Sequence, residues 1–148
     1  MLRAFEIRAA GTWHEPPADS IHLDHLHRHR RRLLLRTEAG EELLLDLAEA
    51  TRLRDGDALC LADGRLVAIR ARPEPVMILT APPHLLLRLA WHLGNRHLPV
   101  QILPAALHIQ ADHVIAAMAE NLGATVTEAT LPFDPEPGAY AAAPHAHR

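Results

Sequence analysis

The stretch "WHLGNRHLPVQI", residues 91 to 102, places His92 and His97 on either side of a Gly-Asn-Arg turn. Imidazole is the commonest metal-binding side chain, and this 148-residue chain carries twelve histidines. Neighbours on a helix face stand three or four residues apart, so two rings five apart do not share one: either one histidine is structural, or the chain breaks between them. The same spacing recurs at His108 and His113. Neither pair forms the compact H-E-x-x-H arrangement of a zinc hydrolase. Nucleophilic chemistry finds as little support. Cys60 lies within an apolar run and reads as a small packed hydrophobe, and the single serine, Ser20, is outside any nucleophile-elbow sequence.

A second group is "HLDHLHRHRRR" at 22 to 32. If that segment is extended, His25, His27 and His29 alternate onto one face as metal ligands, while Arg28, Arg30, Arg31 and Arg32 suit phosphates. The reading preferred over both is a charged strand edge, or a surface that docks a protein partner. His14, His84 and His108 read as ordinary.

Composition narrows the classes. The net charge of -3, from 15 basic against 18 acidic residues, argues against a general nucleic-acid binder. One cysteine excludes an intrachain disulfide, and no opening stretch has the order of a secretory signal, so a cytoplasmic protein is expected. No apolar run approaches the roughly 20 residues of a membrane span. At 49% apolar residues, the chain can build a core in one domain or two.

The elements that position these residues change character near residue 73. Before it, "RRLLLRTEAGEELLLDL" (31 to 47) and "DALCLADGRLVAIRA" (57 to 71) each read as two apolar strands around a Gly-containing turn, and no long helical spacing occurs. Pro73 and Pro75 then fix an extended connection. A strand at 76–80 follows. A helix at 82–95 starts with prolines and stops at Gly94-Asn95; strands are expected at 98–104 and 106–110. A second helix, 112–124, has Asp112 as N-cap and Gly123 as terminator, and a strand at 124–133 closes the pattern. The order β-α-β-β-α-β is that of a ferredoxin-like sandwich, so the fold class is α+β: an N-terminal all-β domain, then a ferredoxin-like βαββαβ domain. RNA-recognition modules share this order but stack bases on aromatics of the central strands, and the strands expected at 76–80, 98–104 and 106–110 contain none. Residues 134–148 are rich in Pro and Ala without an apolar face.

The quoted "HLGNRHLPVQILP" and the later "DHVIAAMAENLGATVTEATLPFDPEPGAY" together resemble the UreE family of urease accessory proteins, the nickel metallochaperones of urease maturation. "RHRRRLLLRTEAGEELLLDL" and "LRDGDALCLADGRLVAIRA" are similar to that family's N-terminal β domain. The resemblance implies a homodimer joined through the ferredoxin-like domain, with Ni(II) held at the dimer interface by the histidine that ends the G-N-R-H motif, His97. It also implies delivery of nickel to the urease apoprotein complex in concert with a maturation GTPase, and no catalytic activity. Further ligands in some members correspond to His92 and His113; the position two before His113 is Ala111, which cannot bind. Many members carry a long histidine-rich tail, of which this chain has only His145 and His147.

The domains expected are 1–72, a β domain of partner- or peptide-binding type; 73–140, for metal binding and dimerisation; and 141–148, a flexible histidine-containing tail. Gly94 and Asn95 are expected to take left-handed backbone conformations, so that the chain reverses and presents His97 on a surface loop. In a two-fold dimer one histidine per chain supplies two imidazoles to one metal. Such ligands suit Ni(II) and bind Zn(II) and Cu(II) in vitro as well or better. The competing reading is a protein-interaction or folding-helper module in which the histidines are incidental.

Overall fold

The computed structural model describes residues 2–137, which divide into two compact units, Met1–Pro73 and Glu74–Arg148. The tail 141–148, with His145 and His147, lies outside the described residues.

The first unit is a mixed six-stranded sheet. Its strands are β1 (Leu2–Arg8), β2 (Asp19–Leu23), β3 (His29–Arg36), β4 (Glu42–Arg52), β5 (Ala58–Leu61) and β6 (Leu66–Ala71), in the order β2-β6-β5-β1-β4-β3. Strict alternation in β4 sends Leu43, Leu45 and Leu47 into the core while Leu44 and Asp46 point outward. The expected hairpins are the antiparallel pairs β3–β4 and β5–β6. A buried carboxylate joins two turns: Asp57 accepts from the backbone N–H of Ala10 at 2.9 Å and of Arg54 at 2.8 Å. The stretch 22–32 departs from the extended expectation. A 3-10 turn at Leu26–Arg28 interrupts it, so His25, His27 and His29 do not share a strand face. His25 is buried, His27 Nδ1 lies 2.6 Å from Asp24, and His29 opens β3.

The second unit runs β7 (Pro73–Thr80), α1 (Pro83–Asn95), β8 (Gln101–Ile102), β9 (Leu107–Gln110), α2 (His113–Asn121) and β10 (Thr125–Pro132). It is an α+β arrangement with the sheet order β10-β7-β9-β8. Antiparallel pairing of β7 with β9 sets Met77 opposite Ile109 and Leu79 opposite Leu107. These four form one core with Leu89 and Leu93 of α1 and Ala116 and Ala119 of α2. Asp112 caps α2, its carboxylate accepting from Val114 N–H at 2.9 Å and Ile115 N–H at 3.1 Å. The strand expected over 98–104 shrinks to two residues. Leu98 N–H is used by the preceding helix end, and Pro99 and Pro104 have no N–H to offer a ladder.

His108 sits on β9 between Ile78 and Gln101, and its Nδ1 is buried without a hydrogen-bond partner. Burial lowers its pKa. The unfolded chain therefore takes up this proton first, and the contribution of His108 to stability, complete above the ordinary histidine value of about 6.5, is lost as pH falls through the lower folded value. His108→Gln should flatten the pH dependence of the urea unfolding midpoint between about pH 7 and 5. An unchanged slope would assign that dependence to other groups.

Candidate metal centre

The helix end before His97 decides where its imidazole stands. Gly94 and Asn95 remain helical, and the one non-glycine residue with positive φ among the described residues is His97 itself, at 58°. This corrects the expectation that the glycine and asparagine would turn the chain. The reason is the register of the cap. Leu98 N–H donates to Leu93 C=O at 3.2 Å and His97 N–H to Gly94 C=O at 2.9 Å, the paired bonds of a Schellman motif, which requires a left-handed residue two places after the last helical one. That place falls on His97, and Leu98 packs with Leu93 in the core.

The end of α2 has the same two bonds. Ala124 N–H reaches Ala119 C=O at 3.0 Å and Gly123 N–H reaches Glu120 C=O at 2.9 Å, with Gly123 at φ 107°. There the left-handed position carries glycine, which adopts it without steric penalty; a residue with a Cβ costs about 1–2 kcal/mol. The histidine at α1 is thus held in a disfavoured conformation that points its side chain off the helix end.

Both helices of this unit expose apolar side chains. Leu87 and Trp91, one turn apart on α1, are 75% and 64% exposed, on a face distinct from that of buried Leu89 and Leu93. Val114, beside His113 at the start of α2, is 78% exposed. A cleft of about 190 Å³ is lined by Leu98 and Pro99 on one side and by Ala111, Asp112 and Ile115 on another, so the residues following His97 and those preceding His113 share one cavity. His92 packs edge-on against Trp91, ring centroids 5.1 Å apart. No three His, Cys, Asp or Glu side chains converge as a metal site among the described residues, so His92, His97 and His113 do not form one within a chain. Beyond β10, Asp134 N–H donates to Gln101 Oε1 at 3.1 Å and Glu136 N–H to Val100 C=O at 2.7 Å. The chain therefore reaches Pro137 alongside the segment that follows His97.

The model of the UreE urease accessory protein N-terminal domain matches residues 3–72, and that of the C-terminal domain matches residues 73–148. The chain belongs to the UreE urease accessory protein family. Urease accessory proteins UreE of two Bradyrhizobium strains, ORS 278 and BTAi1, are 55% and 54% identical to it, with 99% of this chain covering 70% and 71% of theirs. The UreE protein of Rhodopseudomonas palustris strain HaA2 is 53% identical over 97% of this chain and 67% of its own.

In this UreE-family chain, the left-handed backbone at His97 and the exposed pair Leu87 and Trp91 were not singled out from sequence. The pair leaves a signal, because Leu87 and Trp91 repeat at helical spacing out of phase with Leu86, Leu89 and Leu93. The backbone conformation leaves none, since the glycine three residues before His97 looks like the natural terminator. If the backbone alone sets the turn, His97→Gly should keep the unfolding free energy within about 0.5 kcal/mol or raise it, whereas Gly123→Ala should lower it by about 1–2 kcal/mol. An added Cβ at Gly123 would also meet Leu85 Cδ2 at 3.2 Å. A drop for His97→Gly as large as that for Gly123→Ala, in urea titrations, would mean that the imidazole holds the turn.

Proposed function

We propose that this protein is a nickel metallochaperone acting in urease maturation, with Ni(II) as its cargo and one ion bound between the His97 side chains of a homodimer. The observation that carries the reading is the placement of His97: a non-glycine residue kept in a left-handed conformation just past α1, the helix that exposes Leu87 and Trp91. Strain of this kind persists where something other than stability maintains it, and an uncovered leucine and tryptophan one turn apart suit a self-complementary contact. Two-fold symmetry then brings two His97 side chains, one from each copy, to the axis.

The second unit, with its βαββαβ order and 4-1-3-2 sheet, serves as a ferredoxin-like platform over residues 73–140 for metal binding and dimerisation. The first, residues 1–72, serves partner contact. Two imidazoles leave coordination positions for water or for other side chains. His113 starts α2 next to the cleft that Leu98, Pro99 and Asp112 line, and His145 and His147 follow a chain whose Glu136 N–H bonds to Val100 C=O. Seven residues lie between Pro137 and His145, so the eight steps span up to about 27 Å of extended chain. His92, engaged with Trp91, acts in support of the site. A site with few fixed ligands releases its ion to an acceptor, which fits delivery rather than catalysis; urease apoprotein and its maturation GTPase in the cytoplasm are the receiving complex. Zn(II) and Cu(II) compete for the same ligands in vitro.

His97→Ala should abolish the tightest nickel site, one per dimer, in equilibrium dialysis while light scattering still reports a dimer. His145→Ala/His147→Ala should weaken that site without removing it. Trp91→Ser/Leu87→Ser should yield a monomer that lacks the site although His97 is present. Because only neutral imidazole coordinates, nickel retention in dialysis should fall on acidification. Unchanged stoichiometry and affinity in His97→Ala would refute the assignment.

A further inference from the structure

The β3–β4 ribbon of the first unit is electrically lopsided. At its turn, each carboxylate has a basic side chain as partner: Arg36 meets Glu42 at 3.3 Å, Arg65 meets Glu41 at 3.0 Å, and His22 Nδ1 lies 2.6 Å from Glu38. At the opposite end the cations have no such partners. Arg52 donates to His25 C=O at 3.2 Å and approaches His25 Nδ1 and His29 Nδ1, each at 3.4 Å. None of these partners is a carboxylate, and both burial and the positive charge of Arg28 lower the Arg52 pKa. Arg30 Nε is buried with no hydrogen-bond partner, and Arg31 bonds only a backbone carbonyl, Leu47 C=O at 3.3 Å. Arg32 faces Asp46 across the ribbon, but Asp46 is already held by Arg3 at 3.4 Å.

We propose that this end of the ribbon, Arg30, Arg31, Arg32 and Arg52 with His29, docks an extended acidic segment of a partner protein. Three observations favour a polypeptide. The chain has no lysine, and the planar guanidinium fork matches carboxylates in paired hydrogen bonds. β3 is the last strand of its sheet, so its outer backbone groups can pair with an added strand. No aromatic residue of β3 or β4 is available to stack on bases. The surface is independent of the nickel site and stands or falls separately from it.

The test is fluorescence anisotropy with the full chain and a labelled decapeptide of alternating Glu and Thr, against a Lys-Thr peptide and a ten-nucleotide oligothymidylate. Saturable binding of the acidic peptide is expected, weakening at least tenfold between about 0.05 and 0.3 M salt. It should weaken at least tenfold in Arg31→Ser/Arg32→Ser, two exposed positions, with circular dichroism confirming the fold; Arg32→Ser alone serves if the pair is unfolded. Absence of saturable binding, equal affinity in the variant, or equal or tighter binding of the oligothymidylate would overturn the proposal.

Discussion

The hydrogen bond from Leu98 N–H back to Leu93 C=O is the constraint on which the second unit turns. It closes α1, forces the left-handed conformation onto His97, returns Leu98 to the core beside Leu93, and leaves only Gln101 and Ile102 to pair as β8. One local closure thus sets the direction of the imidazole, the length of a strand and the wall of the adjoining cleft. Its cost, about 1–2 kcal/mol at a residue with a Cβ, is appreciable against the marginal stability of a small domain. Glycine at the same place in α2 avoids that cost.

The same closure explains why no complete metal site is found within the described part of one chain. His92 precedes the closure and packs on Trp91, His97 projects from it, and His113 begins the other helix. A helix face would have gathered histidines three or four apart; a chain reversal separates them. On the reading proposed above, symmetry supplies what the single chain lacks, and a two-imidazole site exchanges its ion more readily than one closed by four protein ligands. The exposed leucine and tryptophan on α1 belong to the same design, because the surface that would pair two copies adjoins the residue that would bind the metal.

The first unit distributes its charge by topology. Pairing of β3 with β4 carries acidic residues to the turn, where arginines and a histidine meet them, and gathers the remaining arginines at the other end. A sequence count shows a near balance of acid and base, which conceals this separation. The histidines at 22–32 illustrate the same point. Their alternation suggests a ligand row, but the 3-10 turn sends one inward, one to Asp24 and one to the strand.

Much of the architecture was legible in the residues. Alternation in "EELLLDL", prolines before α1, Asp112 ahead of α2 and the change of grammar near Pro73 each rest on local physics: strand period, missing donors and cap chemistry act over a few residues. The histidine at the end of G-N-R-H was legible too, as a residue past a helix. Which residue takes positive φ was not, because glycine is permitted but not obliged to adopt it, and the choice depends on where Leu98 finds a core to enter. Nor could local pattern reveal the exposure of Trp91, since an apolar residue on a helix is buried or bare according to what packs against it. Local chemistry determined the elements and named the histidine; only tertiary packing decided the register of the helix end, and with it the direction in which that histidine points.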